Sequence, residues 1–167
     1  MHRVVAFVAA LASLLPMAAT ASASDEDCIE IAYIRPHRPV VVNAQARALY
    51  NDVNAARAQR GLPALTQDDQ LNEFALQVAE QMAARHYFGH TDPSGVTFQD
   101  RLRAWGLQYR FAAENMAFDQ DEQHAHQAFL HSPGHYANIV DPHPRRVGVA
   151  AVSAGDGEIF YVEEFAD

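Results

Sequence analysis

Three residues of this chain have the chemistry to act together. They are His90 in Tyr87-Phe88-Gly89-His90-Thr91-Asp92-Pro93-Ser94-Gly95, Glu114 in Ala113-Glu114-Asn115-Met116, and His135 in Ser132-Pro133-Gly134-His135-Tyr136-Ala137-Asn138-Ile139. Neutral imidazoles are good zinc ligands, and two of them with a carboxylate and a water make a four-coordinate site. Such a site can decorate the structure, determine binding, or activate the water. The last role needs a general base beside the metal, and Glu114 can be that base only if it is not a ligand. The three residues come from separate segments rather than from one His-Glu-x-x-His helix, so spacing alone does not assemble them. Glu114 also has a structural reading, as a buried carboxylate holding a loop through backbone N–H groups.

Other reactive side chains are weaker candidates. His124, His126 and His131 make one helix His-rich. His124 and His131 share a face while His126 points elsewhere. A solvated helix face is the expected reading, with a second metal site or a pH-sensitive patch as the alternative. Pro133-Gly134 lies between His131 and His135, so helical His-x-x-x-His geometry is not available there. Ser132 adjoins His135 but lacks the strand-turn-helix context of a nucleophile elbow. Asn138 is expected to tie the loop backbone.

The elements that must position these groups are read from periodicity. Asn43 caps a first helix over 43–60, with Ala46, Leu49, Tyr50, Val53 and Ala56 at helical spacing and Gly61 after it. A capping box at Thr66 and Asp69 opens a second helix, whose stripe is Leu71, Phe74, Ala75, Val78, Ala79 and Met82. Thr97 and Asp100 start a short third helix holding Phe98, Leu102 and Trp105. Residues 107–116 include an extended segment leading to Glu114. A fourth helix starts at Asp121 and is stopped by Pro133-Gly134, which places His135 just past its end. A terminal hairpin joins Val147, Val149 and Ala151 to Ile159–Phe165 through a turn at Gly155-Asp156-Gly157. Helices first and strands late argue an α+β fold with a small, mostly antiparallel sheet.

Length and composition bound the rest. The 167 residues suit one domain, and 49% hydrophobic residues suffice for a core. Arg3, the apolar run Val4–Leu15 and Ala21-Ser22-Ala23 read as a secretory signal over 1–23. A leader at 24–42 and a domain at 43–167 follow. No later stretch is long and apolar enough to span a bilayer, so no membrane anchor is expected after cleavage. The net charge is −9 and every basic residue is Arg or neutral His, with no Lys. That balance argues against nucleic acid and anionic membrane partners. The single Cys, Cys28, excludes an internal disulfide and lies in the leader.

Ordered along the chain, Leu49-Tyr50-Asn51 with Arg57 and Gly61-Leu62-Pro63-Ala64-Leu65, Phe88-Gly89-His90, Asp100-Arg101-Leu102 with Gly106, Ala113-Glu114-Asn115-Met116, Ser132-Pro133-Gly134-His135 through Asn138-Ile139, Val147-Gly148-Val149, and Tyr161-Val162 with Phe165 resemble the CAP superfamily. This SCP-like group comprises the cysteine-rich secretory, antigen 5 and plant pathogenesis-related proteins. The resemblance covers about residues 45–166 and is to the short, cysteine-poor bacterial branch. It implies a three-layer α–β–α sandwich and a cleft lined by two His and acidic residues. In several members that cleft binds a divalent metal such as zinc. Carried over, the metal ligands are His90, His135 and Glu114. The animal members' second cleft Glu, in a Trp-x-x-Glu pattern, is replaced here, since the stretch reads Phe129-Leu130-His131-Ser132. Ser132 therefore stands in the cleft set with His90, Glu114 and His135. The expectation is a secreted or periplasmic protein whose cleft binds a divalent metal and an unidentified ligand, lipid or cell-envelope component. A metal-assisted hydrolase of envelope peptides or lipids and a small-lipid carrier are the alternatives, and the absent fourth acidic residue weighs against catalysis.

Overall fold

The computed structural model describes residues 42–155 and 157–167. The expected signal segment, Cys28 and all but the last residue of the leader lie outside the described residues. The elements are α1 (Ala44–Gln59), β1 (Thr66–Gln67), α2 (Asp69–Arg85), α3 (Phe98–Ala104), β2 (Ala112–Asp119), α4 (Glu122–His131), α5 (Pro133–Ile139), β3 (Arg146–Ser153) and β4 (Ile159–Ala166).

The sheet runs β1-β3-β4-β2. β1 pairs parallel with β3, and the other pairings are antiparallel. Alternation along the strands divides the interior into two cores. Odd-numbered Val147, Val149, Ala151, Tyr161 and Phe165 pack against Leu49 and Val53 of α1, Phe129 of α4 and Ile139 of α5. Even-numbered Met116, Ala150, Phe160 and Val162 pack against Leu71, Phe74, Val78 and Met82 of α2, with Phe98, Leu102 and Trp105 from the α3 region beside them. The result is the expected three-layer α–β–α sandwich. Because helices cover both faces, β3 and β4 are buried along nearly their whole length rather than on alternate residues.

The helix ends follow local chemistry. Asn43 caps α1 by accepting from the Ala46 N–H at 2.9 Å. Thr97 and Asp100 form a reciprocal capping box on α3. Two expectations are revised. Thr66 does not cap α2: its N–H donates to the Arg145 carbonyl as part of β1, and Asp68 caps instead, accepting from the Leu71 N–H at 3.0 Å. Pro133 does not simply end a helix: α4 closes at His131, and Pro133 occupies the first position of α5, where its missing N–H is not needed. His135 thus lies in the first turn of α5. One glycine is required by close approach. A Cβ on Gly148 would overlap the Leu71 carbonyl group at the start of α2, so α2 rests directly on β3. The buried Asn72 side chain there accepts from the Val149 N–H at 3.0 Å.

Candidate functional site

Glu114 is the third residue of β2, and its side chain is buried. Its carboxylate accepts from one Arg101 guanidinium nitrogen at both oxygens, at 2.9 and 2.7 Å. One oxygen also lies 2.8 Å from His90 Nδ1. A carboxylate already paired with a guanidinium is an acceptor, so His90 Nδ1 carries the proton and Nε2 keeps its lone pair. The second terminal nitrogen of Arg101 donates to the His90 carbonyl at 3.0 Å. Arg101 therefore holds His90 twice, directly through its backbone and through the carboxylate that orients its ring. The hydrogen bond to Glu114 raises the His90 pKa above the ordinary imidazole value, against an opposing effect of burial. The loop carrying His90 is braced by Asp92, which accepts from the Ser94 and Val96 N–H groups at 2.7 and 3.0 Å and pairs with Arg85.

His135 approaches from the other face of the sheet. Its carbonyl accepts from Asn115 at 3.1 Å, and the same Asn115 amide donates to Glu163 at 2.9 Å. Asn138 donates to the Asn115 side-chain oxygen at 2.8 Å, tying α5 to β2. The far end of α5 is held by buried Arg57, which donates to the Ile139 and Asp141 carbonyls at 2.9 and 2.7 Å and to the Pro63 carbonyl at 2.9 Å. A cation at carbonyls ending a helix is also favoured by the helix dipole. The His135 ring packs edge-on against Phe129, with centroids 5.3 Å apart. Burial, then the nearby charge of His90, lowers its pKa.

The two halves meet across the edge of the sheet. Consecutive residues Glu114 and Asn115 point to opposite faces of β2, one toward His90 and Arg101 and the other toward α5. In register beside them on β4 stand Glu164 and Glu163. Both are fully buried. Burial pushes the Glu163 carboxyl up to about 8. Burial, then the charge of Glu114, raises Glu164 well above the carboxylate range. A cavity of about 310 Å³ opens beside this edge, lined by His90, Thr91, Thr97, Gln99, Glu114 and Asn138 among others. Ser132 joins α4 to α5, and its side chain makes no capping bond.

Of the expected set, His90 and Glu114 are in direct contact. Among the described residues His135 does not join them in a group of ligand atoms within 4.8 Å, although the charge of His90 contributes to its lowered pKa. Among the described residues, the metal-type ligand atoms that converge within 4.8 Å of one another belong to a different trio: Asp52 of α1 with Glu122 and His126 of α4. His126 is buried, unlike the exposed His124 and His131, so the solvated face covers only part of this helix. Sequence reading passed over Arg101, though an Arg within the Phe98, Leu102, Trp105 stripe was a visible signal. Glu163-Glu164 within an apolar strand was another.

Comparison with known proteins agrees with this architecture. The family model described as "Cysteine-rich secretory protein family", CAP, matches residues 50–165, and the chain belongs to that family. It is similar to the uncharacterized protein YkwD of Bacillus subtilis (strain 168), with 30% identity over 118 residues, covering 70% of this chain. The chain spans only 46% of that relative's length. It is similar to the SCP domain of an extracellular protein from Bacillus anthracis, with a TM-score of 0.68 and 28% identity over 75% of this chain and 41% of that one. An outer surface protein of Borrelia burgdorferi shares the fold, with a TM-score of 0.70 and 20% identity over 79% of this chain and 98% of that one. Among the described residues, no helix is long and apolar enough to cross a membrane.

Proposed function

We propose that this chain is an exported CAP-domain binding protein whose cleft holds a divalent transition metal between His90 and His135. In this reading the metal and the adjoining cavity together take an oxygen-bearing ligand. The observation that carries it is the His90–Glu114 hydrogen bond of 2.8 Å, which commits Nδ1 and leaves Nε2 on a half-exposed ring as the donor. A carboxylate behind a ligating imidazole is the usual way such a ring is oriented and its basicity raised. Glu114 fits that supporting place better than a ligand's, because both oxygens already accept from Arg101. The same engagement leaves Glu114 poorly placed as a general base, which favours binding over hydrolysis. A bound zinc would supply Lewis acidity toward a carbonyl, carboxylate or phosphate oxygen of the ligand. The cavity wall is mixed: Thr91, Thr97, Gln99 and Asn138 offer hydrogen-bonding groups to such a ligand, beside apolar Phe98, Ala112 and Ala113. Export to the periplasm or beyond rests on the signal pattern of residues 1–23 and on relatives described as extracellular or outer-surface proteins.

The test is calorimetric zinc titration of the wild type, His90→Ala/His135→Ala and Glu114→Gln. The double variant is expected to lose the cleft ion. Glu114→Gln is expected to retain it with roughly 10–100-fold weaker affinity, as for removal of a supporting carboxylate. Zinc binding unchanged in the double variant refutes the reading. Zinc-dependent turnover of envelope peptides or lipids would favour the hydrolase instead, and copurified lipid insensitive to these changes the carrier.

A further inference from the structure

We propose that Asp52, Glu122 and His126 form a second divalent-metal site, of zinc-binding type, which bridges α1 and α4 and is independent of the His90/His135 cleft. One ligand atom from each of the three lies within 4.8 Å of the others. Glu122 and His126 are four apart on α4 and so share one face, and Asp52 faces them from α1. A tetrahedral zinc with bonds of about 2.0–2.2 Å has ligand atoms roughly 3.3 Å apart, so only a small closing movement is needed.

The polar atoms at this place are poorly satisfied by the protein alone. His126 is 7% exposed and its Nδ1 has no hydrogen-bond partner, and Glu122 Oε1 is also without one. Tyr161 Oη and Glu163 Oε1, on the same sheet face, are buried and unpartnered too. Burial, then the negative charge of Asp52, a side-chain hydrogen bond to Asp52 and the charge of Asp121 raise the Glu122 carboxyl, while burial lowers the His126 imidazole against the charge of Asp52. A proton shared between the two carboxyls would relieve their repulsion but would leave the buried imidazole nitrogen unmatched, at a cost. A divalent cation satisfies all three donors at once. Imidazole in the set favours zinc, cobalt or nickel over calcium and magnesium, which prefer all-oxygen shells. The ion would clamp the first half of α4 to α1, upstream of the Ser132 junction that carries α5.

The experiment is zinc titration of the full chain, followed by calorimetry, by thermal melting and by the ring-nitrogen NMR signals of the histidines. It is run on the wild type, on Asp52→Asn/His126→Gln, on Glu122→Gln, and on His90→Ala/His135→Ala. The cleft variant is expected to bind one zinc per chain still, with the His126 ring signals shifted. Asp52→Asn/His126→Gln is expected to lose one equivalent relative to wild type, and Glu122→Gln to bind it at least tenfold more weakly. Zinc should raise the melting temperature of wild type by several degrees at about 100-fold excess over Kd, and that rise should shrink in Asp52→Asn/His126→Gln. If the cleft itself takes no metal, the wild type binds one zinc and Asp52→Asn/His126→Gln none. Glu122→Gln is near-isosteric, so loss of zinc with an intact melting transition is separated from misfolding. An unshifted His126 ring in saturating zinc, or undiminished binding in Asp52→Asn/His126→Gln, overturns the proposal.

Discussion

Arg101 pairs with Glu114 through one guanidinium nitrogen and with the His90 carbonyl through the other. One residue of α3 thus fixes both the backbone of the His90 loop and the carboxylate that aims its ring. Both partners of the ion pair are buried, so breaking it from one side strands a charge. Arg101→Met is expected to destabilise the fold by about 3–5 kcal/mol. Arg101→Met/Glu114→Gln should recover part of that loss, because no lone carboxylate remains. Denaturant unfolding of the two single variants and the double tests this, and strictly additive losses would contradict it.

Glu163 makes stability fall as pH rises. Its folded pKa, about 8, is above the ordinary value of 4.5, so between these limits the native state holds a proton that the unfolded chain has released. Its contribution is therefore fully present below about pH 4.5 and is lost as pH rises through about 8. Glu163→Gln keeps an acceptor for Asn115 and should flatten this part of the profile. The gain over wild type should reach a few kcal/mol by about pH 8. Chemical denaturation of both proteins from about pH 5 to about pH 8.5 provides the measurement.

His90 and His135 should titrate on opposite sides of the ordinary imidazole value. His90 shifts up because Glu114 accepts its proton's hydrogen bond, and His135 shifts down through burial and the neighbouring His90. In chelator-treated protein, NMR titration should show His135 losing its charge first as pH rises. Glu114→Gln should lower the His90 midpoint. The reverse order of titration would place the ring hydrogen bond elsewhere.

Arg57 should matter to the placement of α5, which carries His135, although it lies on α1. Arg57→Met removes donors from the Pro63, Ile139 and Asp141 carbonyls and is expected to cost about 3–5 kcal/mol. Amide exchange in α5 should accelerate more than in α2, because the lost bonds end on α5. Equal acceleration in both helices would count against a specific tether.

Gly148→Ala should be costly for a different reason. The new methyl would overlap the Leu71 backbone, which neither α2 nor β3 can give up without moving apart. A loss of about 3 kcal/mol or more is expected, at the upper end for overpacking. A melting temperature unchanged by this substitution would show that α2 can lift from the sheet.

Legibility in the sequence depended on the range of the forces involved. The α2 stripe from Leu71 to Met82, the Asn43 cap and the Thr97–Asp100 box are local patterns, and each formed where its spacing indicated. Thr66 reads as a cap but is a strand residue, because its backbone is claimed by Arg145, 79 positions away in the chain, and no local signal carries that bond. Pro133 reads as a helix stop, yet a proline that cannot continue one helix is equally suited to begin the next. The sequence separates His126 from the face of His124 and His131 but does not show what it points at. Its burial depends on α1 packing over α4.

The sequence by itself determined the first four helices, the terminal hairpin and the family to which the chain belongs, but not α5. Those follow from caps, turns and apolar periodicity, which act over a few residues, and from motif order. Only the tertiary structure decided what Glu114 does. Its partners Arg101 and His90 arrive from one face of edge strand β2, while Asn115 reaches His135 on the other. The same is true of Asp52 with Glu122 and His126, which lie 70 or more positions apart and meet only because α1 packs on α4. Side chains that distant in sequence acquire a common chemistry only when the sheet edge and helix packing bring them within a few ångströms.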